Sequence, residues 1–562
     1  MSIDTDTKKW SPVGAHRSGD EGGEQGLDQD RPSTFRIVVP DKVSADGLRL
    51  LSEDPRFEVV EAAGWEESRL HEALGGAHAV IVRSSTTVDR DFMERAPALR
   101  VIGRAGVGVD NIDVEAATEL GIPVLNAPAG NTVSAAELTF ALLLAAVRRI
   151  PAADQSLRSG AWERSQFKGT ELRDKTLGLV GAGRIGGEVA RRARAFGMKV
   201  LAHDPYLADD RADDLGVDRA SLDEILEQAD VVSLHTPLTS TTKGMIGAEE
   251  LQRMKSTAYL VNVARGGLVD EAVLAKALGE GWIAGAALDV YENEPLEEGS
   301  PLRDAPNLVL TPHLGASTVE AQELVASEIC SAIRSALVDG DLSRALNAPA
   351  IGGETLKRLR PLLQLSERVG RLACALSRGG IKGIEIRYAG REEDALVPLS
   401  SAVLTGLLTE ILGSDEVNFV NALHLAEARG IEVATSTVSR QADFAEFLEA
   451  RLEAEEGTVR ISGALLGDKH PRVVQIDDFK IDMVPEGSMI VLWNRDVPGV
   501  IGKVGNLLGT GGLNIAGYHQ SRLEPGGAAL AAVSVDGEIT SDLLEQLRGI
   551  DEVEDVRVAE LG

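Results

Sequence analysis

Gly181, Gly183 and Gly186 fall in a G-x-G-x-x-G spacing, and an acid, Asp204, follows Gly186 by eighteen residues. That spacing suits recognition of a dinucleotide. Gly181 allows a tight turn, Gly183 lets backbone approach a pyrophosphate, and Gly186 lets a helix lie close on the preceding strand. Arg184 and Ile185 sit inside the pattern, where a helix begins with free N–H groups and a positive dipole end for the phosphates. A carboxylate at Asp204 can accept both ribose hydroxyls of NAD and would repel the 2′-phosphate of NADP, so NAD is the expected cofactor. A glycine-rich turn in an ordinary α/β domain is the plain alternative. The apolar run before the glycines, the helical run after them and the distance to Asp204 weigh against it.

Three polar residues follow runs that read as strands of the same sheet. Arg265 follows Tyr259-Leu-Val-Asn-Val-Ala264, Glu294 follows Ala287-Leu-Asp-Val-Tyr-Glu-Asn293, and His313 follows Leu308-Val-Leu-Thr-Pro312. Ligands of such sheets sit outside the carboxyl ends of the strands. Hydride removal from a secondary alcohol needs a base for the hydroxyl proton. Histidine titrates near neutrality, and a carboxylate on its other nitrogen raises its pKa and fixes its tautomer. The fork of an arginine suits the carboxylate of a 2-hydroxy acid. Singly, each residue reads better as a helix-capping histidine, a surface glutamate or a salt-bridged arginine. Together, at the strand ends of one cofactor sheet, they point to a dehydrogenase.

The elements that must hold these residues alternate strand and helix. Strands are expected at 35–39, 57–60, 79–82, 99–102 and 122–125, and Ser134-Ala-Ala-Glu137 reads as a capping box opening a helix that Pro151 ends. The expected architecture is two doubly wound parallel-sheet α/β lobes, a substrate lobe and a Rossmann lobe for NAD, then an α+β region and a β-α-β-β-α-β, ferredoxin-like module. The expected boundaries are a disordered acidic tail at 1–34, a substrate lobe at 35–132 completed by 314–345, a cofactor domain at 133–313, an intervening domain at 346–485 and the last module at 486–562.

Composition narrows the partners. The 562 residues carry a net charge of −31, which argues against nucleic acid and anionic membranes. With 14 lysines against 43 arginines, the acidic surface suits a high-salt cytoplasm, or simply an arginine-rich genome. No apolar run approaches the ~20 residues of a membrane span. The two cysteines, Cys330 and Cys374, have no metal-ligand spacing around them and read as free thiols of a cytoplasmic protein. No metal is expected.

Asn262-Val-Ala-Arg-Gly-Gly267, Asp289-Val-Tyr-Glu-Asn-Glu-Pro295 and Thr311-Pro-His-Leu-Gly-Ala-Ser-Thr318 resemble signatures of the D-isomer 2-hydroxyacid dehydrogenases. Val82-Arg-Ser-Ser-Thr-Thr87, Gly103-Arg-Ala-Gly-Val-Gly-Val-Asp-Asn111 and the last module extend the resemblance to about residues 35–562 and to the long branch acting on 3-phosphoglycerate. The resemblance implies NAD-dependent oxidation of 3-phospho-D-glycerate to 3-phosphohydroxypyruvate, the first step of L-serine synthesis. It makes His313 the acid–base, Glu294 its partner and Arg265 the carboxylate ligand. Asp289 would hold the nicotinamide carboxamide, and His235, Thr236 and Pro237 would line the adenine side. Arg83 and Arg104 would take the substrate phosphate, with Gly106 and Gly108 near its carboxylate.

By the same resemblance the last module is an ACT domain that binds L-serine through Asn494, Asp496 and Asn514, and the chain forms a homo-oligomer, most often a tetramer. Other readings are a hydroxypyruvate or glyoxylate reductase, against which Arg83, Arg104 and the last module count, and a non-catalytic NAD sensor, against which the intact Arg265, Glu294 and His313 count.

Overall fold

A computed structural model describes residues 34–438, 444–467 and 469–562. Apart from Thr34, the expected tail lies outside these residues. Four sheets organise the described residues. Among the described residues, the two compact units are 44–47 with 127–328, and 34–43 and 48–126 with those of 329–562.

In the first unit, seven parallel strands run in the order Leu308–Leu310, Gly285–Leu288, Tyr259–Asn262, Val231–Leu234, Thr176–Val180, Lys199–His203 and Asp218–Arg219. Chain order reverses between Thr176–Val180 and Val231–Leu234, which places the ligand crevice at the ends of those two strands. Their short apolar runs are buried, as expected of parallel strands covered on both faces.

The long helix on this sheet departs from the expected capping box. It runs Thr132–Val147 with Asn131 at its N-cap, so Ser134 lies inside the first turn. Ser134 is buried and its hydroxyl makes no hydrogen bond. Nor does Pro151 end this helix. Arg149 turns the chain at φ +54°, and Pro151 falls in the first turn of the next helix, Ile150–Arg158. Proline is tolerated there because first-turn N–H groups need no helical acceptor.

The second unit contains three sheets. Five parallel strands lie in the order Phe57–Glu61, Phe35–Val39, Ala79–Val82, Val101–Arg104 and Val124–Asn126. This is the 2-1-3-4-5 order, with its switch point between the first and third strands. Six mixed strands between Ile381 and Met483 carry the helices Gly353–Leu376 and Leu396–Leu412. The last four, antiparallel strands have the order Asn514–Arg522, Ala528–Asp536, Ser488–Arg495 and Val553–Glu560, with helices Val500–Thr510 and Ser541–Arg548, which is the ferredoxin-like arrangement.

Asn418 and Asn421 of the intervening region donate to the Gly121 and Glu119 carbonyls at the end of a substrate-lobe helix. The cysteines form no disulfide. Burial pushes the Cys330 thiol up to about 12 and that of Cys374 to about 11, which keeps both protonated.

Candidate active site

The glycine turn closes the crevice at the switch point. Gly181 has φ +97°, and a Cβ there would lie 2.6 Å from the His235 carbonyl oxygen. A Cβ on Gly186 would lie 2.2 Å from the Gly181 carbonyl, so only glycine lets helix Arg184–Ala195 start this close to the strand. Nothing lies within 4 Å of a Cβ on Gly183, which leaves open space beside the helix N-terminus. Asp204 follows the neighbouring strand, and its carboxylate accepts from the backbone N–H of Ala182 and of Tyr206, both at 2.9 Å. The acid is therefore rigidly placed beside the glycine loop. Arg184 donates to the Pro128 carbonyl at 3.2 Å, and Ile185 packs on the core beneath. His235 Nε2 sits 2.9 Å from the Ser233 hydroxyl, and burial lowers its pKa to about 4, so it is neutral. Thr236 follows it, with its hydroxyl directed at the Met245 sulfur, and Pro237 is exposed. These residues fit a dinucleotide: an open cradle at a helix N-terminus, a fixed acid at the ribose position and a neutral wall.

Three further loops of the same unit hold the candidate catalytic residues His313, Glu294 and Arg265. His313 Nδ1 lies 2.6 Å from Glu294 Oε2. That hydrogen bond is the main cause lifting the imidazole above its ordinary pKa. Burial opposes it, the charges of Glu294 and Asp289 add to it, and Arg265 subtracts. Burial pushes the Glu294 carboxyl up, but its hydrogen bond and attraction to His313 outweigh this and hold it below the ordinary value.

Asp289 is fully buried and ties the His313 loop together. It accepts from the Thr311 hydroxyl at 2.6 Å, the Leu314 N–H at 2.7 Å and the Gly315 N–H at 2.9 Å, and its carbonyl accepts from the His313 N–H. Burial raises its pKa against those bonds. His313 itself has φ +54°. A histidine with a left-handed backbone is uncommon, and such outliers persist where surrounding bonds fix them.

Arg265 is held by residues that sequence reasoning left without a role. The buried Asn262 side chain donates to the Arg265 carbonyl and accepts from the Ala264 N–H, while Arg265 Nη1 donates to the Ala264 carbonyl. A Cβ on Gly266 would lie 1.8 Å from the Tyr291 carbonyl oxygen, so glycine brings the Arg265 loop onto the Glu294 loop. Glu271 accepts from the Glu292 N–H at 2.6 Å and ties the same two loops.

In the second unit, Asp41 and Arg83 follow the two strands of the switch point, and Arg104 lies on the adjacent fourth strand. The buried Asp41 carboxylate accepts from the Arg83 N–H at 2.5 Å, the Thr86 N–H at 3.3 Å and the Thr86 hydroxyl at 2.8 Å. Arg83 Nη1 donates to the Lys42 carbonyl at 3.2 Å. Arg104 ends the next strand, and a Cβ on Gly106 would lie 2.0 Å from its Nη1, so the guanidinium folds over a glycine. Gly108 lies in the same partly buried loop.

Residues 140–315 match the family model described as D-isomer specific 2-hydroxyacid dehydrogenase, NAD binding domain. Residues 358–477 match the D-3-phosphoglycerate dehydrogenase intervening domain. The D-3-phosphoglycerate dehydrogenase of Methanocaldococcus jannaschii is 40% identical over 530 residues, 94% of this chain and 100% of that one. That of Bacillus subtilis is 38% identical over 531 residues, again 94% and 100%. The chain belongs to the D-3-phosphoglycerate dehydrogenase family. A glyoxylate reductase structure from Paecilomyes thermophila is 33% identical with a TM-score of 0.51, but it covers 56% of this chain while 98% of the reductase is matched. D-3-phosphoglycerate dehydrogenases match along almost the whole chain, whereas the reductase matches little more than half.

The last module of this D-3-phosphoglycerate dehydrogenase family member holds Asn494, Asp496 and Asn514. Asn494 is buried, with its amide on the Arg495 carbonyl at 2.9 Å. Asp496 accepts from Arg522 at 2.8 Å and from the Gly526 N–H at 3.2 Å. Asn514 donates to Asp536 at 2.8 Å. Asp496 lies beside Gly527, where strand Ala528–Asp536 begins, and Asn514 pairs with Asp536, where it ends. One copy therefore does not bring Asp496 and Asn514 together.

Proposed function

We propose that this chain oxidises 3-phospho-D-glycerate to 3-phosphohydroxypyruvate with NAD, the entry step of L-serine synthesis. The observation carrying this reading is the His313–Glu294 pair at the strand ends of a dinucleotide sheet, in a chain alike to D-3-phosphoglycerate dehydrogenases over 94% of its length. NAD, when bound, accepts the hydride that leaves C2 of the substrate. His313 donates Nδ1–H to Glu294 and so keeps its lone pair on Nε2, which takes the proton of the C2 hydroxyl as the carbonyl forms. Glu294 then stabilises the imidazolium. Arg265 binds the substrate carboxylate, and Arg83 and Arg104 take the phosphate, with backbone N–H groups at Gly106 and Gly108 beside the carboxylate.

The reading extends to a cytoplasmic homo-oligomer, a tetramer, with L-serine as effector. Asp496 and Asn514 lie at opposite ends of one strand, so a serine site using both needs a second copy of the module. The test is product formation. Incubation with NAD and 3-phosphoglycerate should yield NADH and 3-phosphohydroxypyruvate in equal amounts, and neither product appearing would overturn the reading.

A further inference from the structure

Asn111 bonds to the Arg83–Thr86 loop with its amide nitrogen and to Arg104 with its amide oxygen. Its Nδ2 donates to the Arg83 carbonyl at 2.7 Å and to the Thr86 carbonyl at 2.5 Å, and its Oδ1 accepts from Arg104 Nε at 3.2 Å. The Arg83 loop follows the third strand of its sheet, and Arg104 ends the adjacent fourth. The ladder pairs Val82 with Arg104, Asp41 holds the Arg83 side through its N–H and Thr86, and Arg104 Nη1 donates to the Ala105 carbonyl, while Asn111 bonds to both loops at once.

We propose that Asn111 is a positioning residue for substrate specificity, joining Arg83 and Arg104 into one clamp for the phosphate of a phosphorylated 2-hydroxy acid. A phosphate presents several acceptor oxygens, and two guanidinium groups engage it well only when their spacing is set beforehand. An amide alone does this here. It must donate to two carbonyls and accept from an arginine at once, which neither a carboxylate nor a hydroxyl can do. The proposal rests on the reading of Arg83 and Arg104 as phosphate ligands. It adds that the discrimination between phosphorylated and plain hydroxy acids is set by a residue that touches neither substrate nor cofactor.

The test compares KM for 3-phosphoglycerate and for D-glycerate, which lacks the phosphate, in the full chain and in N111A and N111D. Misplacing a binding group by an ångström costs up to roughly 100-fold. The expected result is a rise of about 10- to 100-fold in KM for 3-phosphoglycerate, with kcat and the KM for D-glycerate held within about twofold. N111D keeps the volume of the side chain but sets a carboxylate against two carbonyls, so it carries the same expectation if N111A does not fold. NADH binding, measured by fluorescence, should be unchanged in both. Equal losses on both substrates would assign Asn111 to the fold of the lobe and overturn the proposal, as would no loss on either. The reading beneath it fails separately. If wild type does not prefer 3-phosphoglycerate, or if Arg83→Ala and Arg104→Ala leave that preference intact, the arginines are not phosphate ligands.

Discussion

His313 Nδ1 and Glu294 Oε2 are 2.6 Å apart, on loops that follow different strands and are nineteen residues apart in sequence. One bond sets the tautomer, the orientation and the basicity of the imidazole. Replacing His313 by alanine should lower kcat roughly 10²- to 10⁴-fold, the usual worth of a positioned acid–base group. NADH affinity, read by fluorescence, should barely move. Unchanged turnover in this variant would remove His313 from the mechanism.

The same bond fixes the sign of the pH dependence. Oxidation needs the neutral imidazole, and Glu294 raises its pKa, so kcat/KM in the oxidative direction should fall as pH drops through that raised value. In Glu294→Gln the main cause of the rise is lost. The acid limb should move to lower pH while the plateau rate falls. A limb that stays in place would mean that another group titrates.

Cofactor choice should follow Asp204. Wild type should favour NAD over NADP, and Asp204→Ser should raise kcat/KM with NADP. The variant also loses two N–H bonds to a carboxylate, each worth about 1.5–3 kcal/mol, so NAD binding should weaken roughly tenfold or more. Equal use of both cofactors by wild type would contradict this account of Asp204.

Gly186→Ala tests the close approach of helix to strand. Its methyl would meet the Gly181 carbonyl oxygen at 2.2 Å, and overpacking of this kind costs typically 1–3 kcal/mol. The melting temperature should fall and NADH binding should be lost. A variant that binds NADH like wild type would show that the glycine loop does not form the cofactor cradle.

Calorimetry with L-serine tests the last module. Asp496 is already paired with Arg522, and Asn514 lies at the other end of the shared strand, so serine should bind only to the oligomer and in competition with Arg522. Arg522→Ala should therefore tighten serine binding. If millimolar serine gives neither heat nor inhibition, the module is structural.

Much of the site was legible because its signals are local. Gly181, Gly183, Gly186 and Asp204 lie within one strand–helix–strand unit, and Arg265, Glu294 and His313 each follow an apolar strand run. What escaped depends on partners far along the chain. Asp41 meets Arg83 across 42 residues, Asn111 meets Arg83 across 28, and Gly266 is required by the carbonyl of Tyr291. No spacing rule reveals such pairs. Ser134 failed as a cap for a different reason: the helix starts before it, at Asn131, and the serine is carried into the packed interior.

The most direct measurement of the central claim is the substrate preference of the whole chain. NAD reduction should be followed with 3-phosphoglycerate beside D-glycerate, lactate and 2-hydroxyglutarate, in wild type, Arg83→Ala and Arg104→Ala. 3-Phosphoglycerate should have the highest kcat/KM in wild type, and each arginine variant should lose it selectively. A wild-type chain that reduces NAD as well with D-glycerate or lactate, or arginine variants that lose all substrates alike, would contradict the claim.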